Sequence, residues 1–213
     1  VKPIKNNIFL SMRQKITTLA FSCFLLLAKH SLSQKTDTIR ISPEQINTSV
    51  LQEGVQRYLV YFTNGNHTPR KDVQLWTREI ERSSVNGVPL IIIRQKWEHK
   101  DTIVHTAIST CDGKSFTPHL HTFWWKQRGT TSVSFDSDVV MLNGEEISGA
   151  DTSKMAIGIW SAYKSSKNIF FLNWHLDLEV FSTLPYKTGR TFIIPFYDPG
   201  VAYPLQQVVY TVA

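Results

Sequence analysis

His119-Leu120-His121 is the stretch of this chain whose spacing comes nearest to that of a metal site. On a strand, residues two apart share a face. Both imidazoles would then reach one ion, with His105 from a neighbouring strand as a third ligand. A zinc ion held that way would activate water for hydrolysis. No His-Glu-x-x-His accompanies the pair, and no carboxylate stands at a fixed spacing from it. The alternative is two exposed strand histidines following Pro118, and no metal or other cofactor is expected. His175, Asp177 and Glu179 alternate and would make an acid–base set on a strand. The other reading makes them the polar face of a buried segment, with Asp177 as a helix cap. Cys111 lacks the local signatures of cysteine proteases and reads as a small buried strand residue. The chain shows no phosphate-cradling Gly-rich loop and no nucleophile elbow. A non-catalytic protein is therefore expected.

Aromatic density is what remains distinctive. Trp97, Phe123, Trp125, Trp160 and Trp174 are the candidates to line an apolar cleft, the usual form of a small-ligand site. The elements that would position them are mostly strands. From Arg57 on, β-branched and aromatic runs alternate with turn residues: 57–63, 73–82, 89–99, 102–111, 120–127 and 130–136. Asn64-Gly65-Asn66, Asn86-Gly87, Lys100-Asp101 and Asp112-Gly113 mark the turns, and Asn-Gly and Asp-Gly are hairpin signals. Six strands joined mostly by short turns predict an antiparallel meander that curls or closes. Met155, Ile159 and Tyr163, spaced by four, predict a helix over 151–163 with Asp151 or Thr152 as N-cap. The stretch 173–184 fits a strand and a helix alike. It is read as strand or loop to Leu176, then a short helix opened by Asp177 and stopped before Pro185. Two last strands are predicted at 190–197 and 205–212.

The formal charge of +6 suggests a nucleic-acid or membrane binder, but its distribution removes that reading. Residues 1–33 carry Lys2, Lys5, Arg13, Lys15 and Lys29 and no acid. The remainder holds 18 Lys and Arg against 17 Asp and Glu. Arg70-Lys71 and Lys164–Lys167 read as solvated loops rather than nucleic-acid sites. Met12, Arg13 and Lys15 precede an apolar run from Ile16 to Ala28, and Ser31 and Ser33 flank Leu32 before Gln34. That order is the one of a secretory signal peptide cleaved before Gln34. Thirteen residues make about 20 Å of helix, short of a ~30 Å hydrocarbon core, so no transmembrane segment is expected once the signal is removed. Cys23 lies inside the apolar run beside bulky Phe21, which argues against lipidation. Residues 1–11 read as a non-native or mis-translated lead, 12–33 as the signal, 34–55 as a polar leader and 56–213 as one β-rich domain. The last predicted strand runs to the final residue, as if the domain were cut short.

The stretch Asn173–Gly200 resembles a family of exported Gram-negative proteins known as domain of unknown function 3108. Asp177 opens a short helix, Leu184-Pro185 follows, and Gly189 precedes the apolar strand Phe192–Phe196. The resemblance implies a curved antiparallel half-barrel around helices, similar to lipoprotein-carrier (LolA-like) folds, and supplies no catalytic residues. The whole reading is a mainly β protein: a curved antiparallel sheet with one or two short helices. It is expected in the periplasm or at the outer membrane, binding an apolar or lipid-like small molecule or an envelope protein partner. A metal-dependent hydrolase centred on His119 and His121, and a structural envelope component with a filled cleft, are the alternatives.

Overall fold

Alternating β-branched and polar residues, punctuated by residues that tolerate a left-handed backbone, build residues 54–146 into one antiparallel meander. The structure is a computed structural model that describes residues 37–63 and 71–213. The expected signal segment, its cleavage before Gln34, the lead 1–11 and the turn Asn64-Gly65-Asn66 lie outside the described residues.

Eight strands pair in sequence order: β2 (Gly54–Phe62), β3 (Lys71–Val85), β4 (Val88–His99), β5 (Thr102–Asp112), β6 (Pro118–Trp125), β7 (Gly129–Ser134), β8 (Val139–Leu142) and β9 (Glu145–Glu146). The sheet stays open, with β2 and β9 as its edges. The β3–β4 turn at Asn86-Gly87 and the β4–β5 turn at Lys100-Asp101 have positive φ at both central residues. That geometry matches the twist of the paired strands. Asn143-Gly144 makes the same turn between β8 and β9, a hairpin absent from the expected six strands. Asp112-Gly113 is not a two-residue hairpin. Asp112 Oδ1 accepts from the backbone N–H of Lys114 and Ser115 at 2.9 and 2.7 Å, holding a longer loop up to Pro118.

A second, small sheet is built around β11 (Thr191–Tyr197). β12 (Gln206–Thr211) pairs antiparallel along one edge. On the other edge, β1 (Thr38–Arg40) and β10 (Leu172–Asn173) run parallel to its two ends. α1 (Lys154–Ser166) and α2 (Asp177–Ser182) complete the elements. The first helix starts later than expected: Ser153 is its N-cap, with Oγ accepting from Ala156 N–H at 3.4 Å. Asp151 instead receives Ser148 N–H at 2.6 Å. Ala156, Ile159 and Tyr163 form its buried stripe, while Met155 is exposed. The helical reading of the ambiguous stretch holds, but Asp177 is its first helical residue rather than its cap. A 3-10 turn at Trp174–Leu176 precedes it, and Asn173 caps that turn, its Oδ1 accepting His175 N–H at 3.0 Å.

The main core lies between the sheets. Ile80, Ile91, Ile93 and Cys111 of the large sheet meet Leu176, Val180, Phe192, Ile194 and Phe196. Ile41, Ile46 and Leu51 of the stretch before β2 enter the same cluster. A smaller one packs α1 on Val133 and Val140.

Candidate functional site

The register of the meander lays the inner face of the large sheet out in rows across the strands. One row runs Ile80, Ile93, Ser109, His121, Val133, Val140. The next runs Arg78, Gln95, Ala107, Phe123, Thr131, Leu142. The third runs Trp76, Trp97, His105, Trp125 and ends at Gly129. Along that third row the rings contact one another. Trp76 and Trp97 stack at 3.9 Å, His105 lies 4.0 Å from Trp125, and Trp97 meets Trp125 edge-on at 5.3 Å. The edge-on contact of Trp97 with Trp125 is one of the arrangements that ring quadrupoles favour.

The polar members of the middle row hold the segment entering α2. Arg78 is 1% exposed, and its Nη2 donates to Glu179 Oε2 at 2.7 Å and to His175 O at 2.6 Å. Gln95 Nε2 donates to the same carbonyl at 2.6 Å. With Asn173 accepting its N–H, the backbone of His175 is held from both sides, and its ring is placed accordingly. The ring stacks on Phe123 at 5.1 Å, meets His121 edge-on at 4.6 Å, and sets Nε2 3.0 Å from Asp198 Oδ1. Asp198-Pro199-Gly200 is the turn after β11. Gly200 has φ +87°, and a Cβ there would fall 2.7 Å from Phe123 and 2.8 Å from Thr131. Glycine alone lets this turn press onto the sheet.

Beside that contact lies a cavity of about 550 Å³. Its walls are mainly apolar: Phe123, Trp125 and Leu142 from the sheet, Ile159 from α1, Val201 and Tyr203 from the segment after the turn. His175 and Asp198 add a polar patch, and Lys126 and Arg128 stand at the solvent side. The volume falls within the range of about 300–1,000 Å³ typical of small-molecule sites.

Of the five aromatic residues expected in a cleft, Phe123 and Trp125 line this cavity. Trp97 stands behind Trp125. Trp160 packs against Tyr163 at 5.7 Å, and Trp174 against Phe196 at 4.5 Å. In the sequence His175 reads as an acid–base candidate and Ile159 as a helix-face residue, and neither of them, nor Asp198 or the 200–203 segment, is placed at a cavity. Asp198-Pro199-Gly200 has the composition of a turn, but nothing local tells which surface the turn meets.

The two histidines of His119-Leu120-His121 do not act together. Thr110 pairs with Leu120 and Cys111 with Pro118, so His119 is the extra residue of a β-bulge. The bulge separates the pair. His119 Nδ1 lies 2.8 Å from Asp136 Oδ1 near the surface. His121, expected to be exposed, is fully buried and shares a 2.8 Å hydrogen bond with Ser109 Oγ. Among the described residues, no group of three or more His, Cys, Asp and Glu is arranged to hold a metal ion. Burial, aided by the neighbouring His175, lowers the His105 pKa to about 3 and holds that of His121 well below its ordinary value. The alternation that a strand would give His175, Asp177 and Glu179 is absent, because Asp177 and Glu179 lie in α2. Glu179 is instead spent on Arg78, and Asp177 Oδ1 lies 3.6 Å from the same guanidinium. Burial of Cys111 pushes its thiol up, away from the reactive thiolate.

A family model described as "Protein of unknown function (DUF3108)" matches residues 57–212. The chain belongs to that family. The match spans the meander from β2 onward, both helices and the β11–β12 pair, so the cavity lies wholly within the family's domain. No curated protein and no solved structure matched the chain. No helix among the described residues is long and apolar enough to cross a membrane.

Proposed function

We propose that this member of the family is an exported protein of the periplasm or outer membrane that binds an apolar, lipid-like molecule without transforming it. The observation that carries the reading is the cavity beside Phe123 and Trp125. It is sizeable, mainly apolar, and bounded by elements that the Arg78–Glu179 and His175–Asp198 contacts hold in place. Apolar walls exclude water and reward a hydrocarbon by roughly 25 cal/mol per Å² covered. The basic start and apolar run of Met12–Ser33 support export. Glu179, the buried carboxylate of the segment that carries His175, is bound to Arg78 rather than presented to the cavity.

The test is native mass spectrometry of the purified protein before and after organic extraction, followed by titration of the extracted protein with Nile red. A co-purified lipid, or saturable one-to-one dye binding that Ile159→Trp reduces by filling the cavity, is the expected result. An unliganded protein that also fails to bind the dye overturns the reading.

A further inference from the structure

The cavity has mainly apolar walls, and two exposed cations contribute to its lining. Lys126 and Arg128 belong to the three-residue turn between β6 and β7, are exposed, and contribute to the cavity lining. That turn is rigidly seated. Lys126 N–H donates to Val104 O at 3.0 Å and Arg128 N–H to Trp125 O at 3.0 Å. Gly129, with φ +80°, leaves no room for a Cβ against Asn143, whose Oδ1 receives Thr130 N–H at 2.9 Å. Neither cation forms an ion pair among the described residues. Asp198 is the one carboxylate among the described lining residues; its Oδ1 lies 3.0 Å from His175 Nε2, on the sheet side of the turn that follows β11. The lining thus presents two uncommitted positive charges beside a mainly apolar space.

The size of that space limits the tail. A methylene takes about the volume of one water molecule, about 30 Å³, so a sixteen-carbon chain needs about 480 Å³. The cavity of about 550 Å³ holds one such chain and not two. From this, and resting on the apolar-binding reading above, we infer that the ligand is a single-chain amphiphile with an anionic head, a carboxylate or a phosphate monoester. Its tail lies against Phe123 and Trp125, and its head meets Lys126 and Arg128.

The experiment titrates extracted protein with four sixteen-carbon probes below their micellar concentrations: palmitate, hexadecyl phosphate, hexadecanol and hexadecyltrimethylammonium. The change in tryptophan fluorescence and native mass spectrometry read the binding. Palmitate and hexadecyl phosphate are expected to bind about ten-fold more tightly than hexadecanol, an advantage that shrinks as salt is raised. The tighter of these two identifies the head. Lys126→Gln with Arg128→Gln should bring both anions down to the affinity of hexadecanol. Equal affinity for all four heads, or preference for the ammonium, overturns the anionic head while leaving apolar binding intact. Binding of none of the four overturns the apolar-binding reading itself.

Discussion

Protonation decides how the buried histidines behave. His105 and His121 are fully buried, and burial is the first cause that keeps both imidazoles neutral. In the unfolded chain each titrates near its ordinary value of about 6.5. Between about 6.5 and about 3 the unfolded state takes up protons that the folded state refuses. Stability is therefore full above about 6.5 and is lost as pH falls toward the folded-state values. His105 gives up between about 1 and 2 kcal/mol from pH 7 to pH 5 by this linkage, and His121 acts in the same direction. Glu179 works with the opposite sign. Burial raises its carboxyl against the pull of Arg78, which adds stability at low pH that is lost as pH rises through its folded value. Comparison with a single variant cancels that contribution. Urea midpoints at pH 7 and pH 5 should fall more for the wild type than for His105→Phe, whose ring fits the row between Trp97 and Trp125. The same fall in both would show that His105 titrates normally in the folded protein.

The segment from Asn173 through α2 is the element whose attachment matters most, because it places His175 on the cavity wall. Arg78 carries that attachment from the middle of β3, bonding Glu179 and the His175 carbonyl together. Removing the cation alone leaves Glu179 charged and buried, which costs about 3–5 kcal/mol. Arg78→Met should lower stability by that amount in chemical denaturation. Arg78→Met with Glu179→Leu should recover most of it, since a buried ion pair and an apolar pair of similar volume are often nearly equivalent. If the double variant is no better than the single one, the attachment rests on the His175 carbonyl rather than on the ion pair. Much of this was legible at the level of elements. Runs of β-branched and aromatic residues between turn signals marked the six long strands, β11 and β12, and Asn86-Gly87 marked its turn. β1, β8, β9 and β10 were not, because two to four residues are too few for a period to show. The site was legible only in part. Phe123 and Trp125 were found because aromatic residues on a half-buried sheet must cover something. His121 was expected at the surface and is buried, and the bulge between the Thr110–Leu120 and Cys111–Pro118 pairs, which sets it apart from His119, has no signal in the local sequence. Arg78 gave no signal, since a charged residue within a strand reads as solvated until its partner from α2, a hundred residues on, is known.

At the scale of the whole molecule, a single thiol reports on the integrity of the core. Cys111 belongs to the main cluster, opposite Ile91 across the β4–β5 pair, and is free. Burial pushes its thiol up, so the thiolate that attacks disulfide reagents is scarce in the folded state. Its neighbours in that cluster come from the first, middle and last parts of the domain, Ile41, Ile93 and Ile194 among them. Exposing Cys111 therefore requires those parts to separate, which is global rather than local opening. The other cysteine, Cys23, lies outside the described residues, within the segment expected to be removed before Gln34. Protein recovered from the periplasm should then carry one thiol per chain. That thiol should be silent to a disulfide reagent in buffer and react fully in urea, with the midpoint that tryptophan fluorescence shows, and reductant should leave the melting temperature unchanged. Two reactive thiols per chain in urea would show that the Cys23 segment is retained and would overturn the expected processing. Labelling in buffer much faster than global unfolding would show instead that the sheets part locally, and that the core around Cys111 is not one cooperative unit.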